Sequence, residues 1–369
     1  MKECTTTDQK RYWKLVRQLN QNEVKNSQYV SPNNLTEHFK SILKSKRQLK
    51  IPQDSTKTGK LDYPFTLEEL EIASKSMKPG KASGIDNLSN EMICAFFETY
   101  PNITLILFNN ILDNNTAIQE WTKGIITAIH KKGSKSDPDN YRGISLLSCL
   151  GKFFTITMYN RLLEFCMKNK ILSPTQLGYV PGNRTSDAHL IINNLIQKQC
   201  HLNNNRLYTC FVDFSKAFDT IPRDTLLNKL LNFGIEGKFF NIIKNMYTND
   251  KVCIKYNSKI TDYFEANLGV KQGCRLSPLL FNIYLSDLPE TLDDPQHSNK
   301  TFPYPNAIFW ADDIAMFSES EKGLTKMLKT LEKYCDTNEL TLNTDKTKCM
   351  IFNKTGRLIR TPFYYKNIK

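Results

Sequence analysis

The stretch Asn306-Ala-Ile-Phe-Trp-Ala-Asp-Asp-Ile-Ala-Met-Phe317 holds two apolar runs around a polar tip, Asp312-Asp313. Runs of this length and composition read as the two strands of a hairpin. A second run, Tyr208-Thr-Cys-Phe-Val-Asp213, also reads as a strand and also ends on a carboxylate. Burying strands that end on bare carboxylates is costly unless a cation joins them. Adjacent residues of a strand point to opposite faces, so Asp312 and Asp313 share one ligand position only if the turn redirects them. Carboxylates from separate strands suit a pair of Mg²⁺ ions, which in two-metal sites lie roughly 3.5–4 Å apart. The plainer reading of an isolated Asp-Asp is an exposed turn. The apolar flanks, and the second strand ending in Asp213, count against it.

Outward from the hairpin, Ser318 and Glu321 are spaced to cap a helix carrying Leu324, Leu328, Leu331 and Cys335, and Lys348-Cys-Met-Ile-Phe352 reads as a further strand. Upstream, Ser277-Pro278 reads as the N-cap and first residue of a helix running through Leu288. Val252, Ile254 and Tyr256 alternate as a strand, and the Asn257-Ser258 turn leads to another near Phe264. Pro222 stands where a helix bearing Leu226, Leu227, Leu230 and Leu231 starts. Ile125-Ile-Thr-Ala-Ile-His130 reads as a strand, and Thr66 with Glu69 forms a capping box that opens a helix through Ala73. Leu35, Phe39 and Leu43 mark one amphipathic helix, and Tyr12, Trp13, Leu15, Val16 and Leu19 another. The segment from Lys50 to Leu61 reads as a linker. Strands and hairpins alternating with helices predict an α+β fold, with helices packed on a sheet.

Composition narrows the partner. The chain of 369 residues has 50 Lys and Arg against 37 Asp and Glu, a net charge of +13. A surplus of this size favours a polyanion, either nucleic acid or an anionic membrane; simple solubility is the alternative. It is concentrated: ten basic residues face three acidic ones between Trp121 and Arg184, a local +7 and the best candidate phosphate-binding surface. The opening residues lack the apolar core of a signal peptide, and apolar runs such as Ile103–Phe108 are too short to cross a bilayer, so no membrane partner is expected. None of the ten cysteines shows C-x-x-C spacing or a nearby His in a zinc-finger pattern; they read as reduced thiols of an intracellular protein, with nuclear or cytoplasmic location undecided. No phosphate-binding glycine loop or G-x-S-x-G is present, which removes support for kinase, dehydrogenase and hydrolase chemistry.

Three ordered blocks carry a family resemblance: Phe211-Val-Asp-Phe-Ser-Lys-Ala-Phe-Asp219, Gly269-Val-Lys-Gln-Gly-Cys-Arg-Leu-Ser-Pro-Leu-Leu-Phe-Asn282 and Phe309-Trp-Ala-Asp-Asp-Ile314. Further matches are Lys78-Pro-Gly-Lys-Ala-Ser-Gly-Ile-Asp86, His130-Lys-Lys-Gly133, Asn140-Tyr-Arg-Gly-Ile-Ser-Leu-Leu-Ser148, Gln176-Leu-Gly-Tyr-Val-Pro-Gly182 and Leu342-Asn-Thr-Asp-Lys-Thr-Lys-Cys-Met-Ile-Phe352. Over about 66–355 the chain closely resembles the reverse transcriptase of non-LTR (LINE-type) retrotransposons.

The resemblance implies a right-hand polymerase with fingers and an antiparallel palm sheet. It implies template-directed addition of dNTPs to a DNA primer on an RNA template, with two Mg²⁺ ions. Asp213, Asp312 and Asp313 match the palm carboxylates, Asp213 and Asp312 being the more direct ligands. Phe218 matches the sugar gate that excludes a 2′-OH; its other reading is a core aromatic. Gln272 lies in the block that positions template and nucleotide, or is a polar residue with no ligand. Lys131 and Arg142 match basic finger residues facing the triphosphate, and bidentate geometry suits Arg142. Lys346 matches a lysine suggested as proton donor to pyrophosphate; the alternative is a surface lysine. Trp310 stands where Tyr or Phe is usual, Gly143 where Pro is frequent, and Val180 and Asn183 where basic residues are expected.

The expected organisation is a polar helical accessory segment over 1–60, a fingers-type region over 61–207, a palm-type catalytic region over 208–355 and a tail over 356–369 that stops where a thumb would begin. No endonuclease domain or Cys/His knuckle is recognised, so the chain reads as a piece of a larger polyprotein. Two other functions are weighed. An RNA-dependent RNA polymerase usually places a polar residue at the sugar-gate position, which Phe218 is not. Against a catalytically weak or dead RNA-binding remnant stand the intact Asp213, Asp312 and Asp313, while the missing thumb favours weak activity.

Overall fold

The computed structural model describes residues 30–366 and 368, apart from 116, 203–204, 257–258 and 294–304. The expected helix around Tyr12–Leu19 and the Asn257-Ser258 turn lie outside the described residues.

One sheet is all antiparallel. It contains β3 (Leu207–Val212), β7 (Ala307–Trp310), β8 (Asp313–Ser318) and β9 (Lys348–Phe352), in the order β7-β8-β3-β9. Each residue type follows from its face. On β8, Ile314 and Met316 enter the main core, while Ala315 and Phe317 join Leu195 and Ile308 in a separate cluster beneath the helix Thr185–Ile196. On β3, Cys210 and Val212 face the main core and Leu207 the other cluster. Both faces are covered, so these strands read as unbroken apolar runs rather than as alternating ones. The helix Glu321–Thr337 packs on β8 and β3 through Leu324, Leu328 and Leu331.

The other sheet joins distant parts of the chain. β1 (Lys123–His130) pairs antiparallel with β2 (Tyr141–Leu146) and parallel with β4 (Lys251–Tyr256). The return strand expected near Phe264 is split into β5 (Lys259–Ile260) and β6 (Phe264–Glu265), both paired with β4. Phe39, on the helix Pro32–Leu43, packs with Ile126, Tyr141 and Val252 against this sheet. That helix is capped by Ser31, whose side chain accepts from Asn34 N–H. The segment after it lacks regular structure but is fastened to the body. Arg47 pairs with Asp224 at 2.7 Å, and Ser55 N–H donates to Asn241 Oδ1 at 2.8 Å.

The capping box of Thr66 and Glu69 is present on the helix Leu67–Lys75, and Pro222 occupies the N-cap of the helix Arg223–Asn232. Two boundaries differ from expectation. Ser277 is the first helical residue rather than the cap, and its hydroxyl meets Tyr247 Oη at 3.1 Å. That helix ends at Tyr284, and a short second one covers Leu288–Leu292. The Tyr284 carbonyl, which a continuing helix would offer to residue 288, instead accepts from Lys229 Nζ at 2.6 Å, and Pro289 disfavours helical continuity. The second difference is the cap of the last long helix. Ser318 stays in β8 opposite Tyr208, and Ser320 accepts from Gly323 N–H instead. Strand pairing outcompetes the capping spacing.

The nine described cysteines are free thiols. Among the described residues, no helix is long and apolar enough to cross a membrane.

Candidate active site

Asp213 lies where β3 ends. Its N–H donates to Thr347 Oγ1 at 3.2 Å, and its carbonyl accepts from Asn343 N–H at 2.8 Å. These two bonds fix the Asp213 backbone between β3 and the loop before β9. From that loop, Lys346 Nζ reaches Asp213 Oδ2 at 3.0 Å.

Asp312 and Asp313 are set by the β7–β8 tip. Trp310 and Asp313 close the ladder, and Ala311 adopts a left-handed φ of 59°. Such a φ is unusual for a residue with a Cβ and needs outside support. Gln176 supplies it: its buried Oε1 accepts from Ala311 N–H at 3.1 Å and from Gly178 N–H at 2.9 Å. Gly178 is required there, because a Cβ would collide with the backbone of Trp310 and Ala311.

The charge of Asp213 bears on both other acids. Burial raises the Asp312 carboxyl above the usual range, and the charge of Asp213 adds to it; Arg142 and Lys346 act in the opposite direction. Burial likewise raises Asp313, reinforced by Asp312 and Asp213. Among the described residues, no three His, Cys, Asp or Glu side chains close into a metal-ligand group. The donor chemistry nonetheless fits a hard divalent cation: three carboxylates stand at one sheet end, two of them raised by burial and by the charge of Asp213, with a lysine ammonium paired to only one. A cleft of about 520 Å³ adjoins Asp213 and Asp313 but not Asp312, and His189, Ile192, Phe211 and Trp310 also line it.

A second group lies on the other sheet and the turn after β3. Phe218 follows Lys216, which has a left-handed φ of 51°. Its ring stacks on Phe281 at 4.3 Å and 13°, and meets Tyr179 edge-on at 6.3 Å. It stays half-buried. Gln272 Nε2 donates to Asp219 Oδ1 at 2.6 Å. Arg142 is exposed on β2, and Lys131 follows β1, its N–H on Asn140 O at 2.8 Å. Burial lowers the Lys131 ammonium and the charge of Arg142 lowers it further, while Asp219 acts the other way. The Asp219 carboxyl is pushed up to about 6 by burial, against the hydrogen bond from Gln272 and the charges of Lys131, Lys216 and Arg142.

Asp312 and Asp313 therefore feel the charges of Asp213 and Lys346, which pair with each other, and Gln272, Lys131 and Arg142 converge electrostatically or directly on Asp219. Arg142 links the two through its effect on Asp312. Asp219 and Gln176 were absent from the sequence-based site. Both stand inside recognised blocks, and the spacing of neither marks what its side chain holds.

A family model described as reverse transcriptase (RNA-dependent DNA polymerase) matches residues 129–365. The chain is 28% identical over 293 residues to the probable RNA-directed DNA polymerase from transposon BS of Drosophila melanogaster, covering 77% of this chain and 32% of that one. It is 25% identical over 356 residues to the RNA-directed DNA polymerase from mobile element jockey of the same organism, covering 91% and 37%. The chain thus spans about a third of the length of these relatives. A solved telomerase from Candida tropicalis, in complex with a TWJ fragment of telomeric RNA, aligns at 13% identity and a TM-score of 0.49, over 75% of this chain and 47% of that one.

Proposed function

Because the chain belongs to the reverse transcriptase (RNA-dependent DNA polymerase) family, we propose that it is the polymerase core of a non-LTR retrotransposon, adding dNTPs to a DNA primer 3′-OH on an RNA template. The observation that supports this is the strand pairing that sets Asp213, just past β3, beside Asp313 at the start of β8, with Asp312 one residue earlier and both acids raising the Asp313 carboxyl. Repulsion of this kind persists in a fold when a cation is to be held there. Asp213 and Asp312, with Asp313 beside them, would hold two Mg²⁺ ions, whose chemistry is to activate the primer hydroxyl and stabilise the leaving pyrophosphate.

The remaining residues bind and orient. Arg142 and Lys131 present positive charge to the triphosphate, and Arg142 can engage it with two parallel N–H groups. Phe218, held flat against Phe281, offers the sugar an apolar ring edge and no hydrogen-bond partner. Lys346, already on Asp213, would give a proton to the leaving pyrophosphate. Phe218 also favours deoxynucleotides over the ribonucleotides of an RNA polymerase.

Primer extension by the purified chain on an RNA template tests the reading. Asp213→Asn should reduce Mg²⁺-dependent extension by about 10³-fold or more, on the scale of losing an electrostatic element of a catalytic site. RNA binding should stay within a few-fold. Extension that persists in Asp213→Asn overturns the site assignment.

A further inference from the structure

Three segments meet beside Gln272. Gly269 N–H donates to Ile221 O and Val270 N–H to Phe218 O, both at 2.8 Å. On the other side, Ser145 N–H, from β2, donates to Gln272 O at 2.8 Å. The loop backbone is therefore fixed from two directions, and the Gln272 Cα has little freedom. Its carboxamide is a separate matter. A primary amide has two ends of nearly equal shape, one accepting and one donating, and a half-turn of the last torsion exchanges them.

Asp219 removes that ambiguity. A carboxylate only accepts, so it takes the NH₂ end of Gln272, and the contact is a short 2.6 Å. The carbonyl oxygen is thereby turned away from Asp219. Lys131 and Arg142, the cations assigned above to the triphosphate, both act on the same carboxylate. We infer that Asp219 is a positioning residue that sets which end of the Gln272 amide faces the incoming nucleotide. This rests on the nucleotide-facing role proposed for Gln272. An amide turned the wrong way presents a donor where an acceptor is needed, and a mismatched polar contact inside a site costs binding rather than chemistry.

The test combines kinetics with a readout that needs no activity. Asp219→Leu should raise KM for dNTP about tenfold or more while kcat stays within threefold. Asp219→Asn, whose Oδ1 still accepts, should return KM to within threefold of wild type. In a Gln272→Ala background, Asp219→Leu should add less than twofold, because the amide it orients is gone. A change in kcat alone, or an undiminished effect in the Gln272→Ala background, overturns the inference. In parallel, the Gln272 side-chain amide signals of the ¹⁵N-labelled chain, assigned by their loss in Gln272→Ala, should show one hydrogen-bonded proton that disappears in Asp219→Leu. Unchanged signals overturn the inference whether or not the protein extends primers. A wild-type chain that extends no primer sinks the polymerase reading and leaves the amide signals to decide this one.

Discussion

Lys346 Nζ lies 3.0 Å from Asp213 Oδ2, so the carboxylate that ends the central strand already holds a cation. The lysine is well exposed, which makes the pair weak, on the order of 0.2–1 kcal/mol. It nonetheless competes with any divalent ion for the same oxygens. Lys346→Met should therefore lower the Mg²⁺ concentration for half-maximal extension by about 1.5–5-fold. If the ammonium also protonates pyrophosphate, kcat falls in the same variant. A Mg²⁺ titration separates the two effects, and an unchanged midpoint would remove the competition from the account.

Phe218 stacks on Phe281 and remains half-buried, with ring surface free for a ligand. Phe218→Val should raise the kcat/KM ratio of rNTP to dNTP by about tenfold or more, since a buried unpaired hydroxyl costs about 1–3 kcal/mol and steric overlap adds to it. The stability cost should be about 1–2 kcal/mol, below a full truncation in a closed core. Single-nucleotide extension with the two sugars in parallel decides it. An unchanged ratio in a folded, active variant would make Phe218 a packing residue only.

Gly143 stands under a tight contact. A Cβ there would lie 2.8 Å from both Phe39 Cε1 and Ile126 Cγ2. The helix Pro32–Leu43 presses its aromatic ring onto the strand that carries Arg142. Gly143→Ala should destabilise the chain by about 1–3 kcal/mol through overpacking. Phe39→Leu in the same chain should recover part of the loss. Urea unfolding midpoints report both, and a neutral Gly143→Ala would mean that the helix moves aside freely.

Asp219 gives a pH prediction. Its carboxyl sits near 6 in the folded chain, above its ordinary 3.8. The folded state thus gains from the protonated acid below about pH 4 and loses that gain as pH rises through 6. Asp219→Asn removes the loss. Its melting temperature should match wild type near pH 4 and exceed it by about 1–3 °C at pH 7.5. An equal offset at both pH values would mean that the carboxyl titrates normally.

The hairpin Ala307–Ser318 and the strand Leu207–Val212 were readable because burial on both faces leaves unbroken apolar runs, and a charged tip stands out against them. The helix capped by Thr66 was readable because its signal is local. The parallel pairing of Lys123 with Lys251 was not, since a partner 128 residues away leaves no mark on either strand. Ser318 misled because a capping spacing says nothing about a strand that claims the same residue. Asp219 escaped because its neighbours in sequence are those of an ordinary helical turn, while its chemistry comes from Gln272 across the fold.

Strands β4 to β6 belong to the sheet of β1 and β2, yet in sequence they lie between β3 and β7 of the antiparallel sheet. A ribosome therefore finishes β1 and β2 long before it makes the strand that covers the inner edge of β1. At 5–20 residues per second that edge waits on the order of 10 s. During this interval an apolar strand with unpaired N–H and C=O groups is open to any other extended chain, including a second copy emerging from the same messenger.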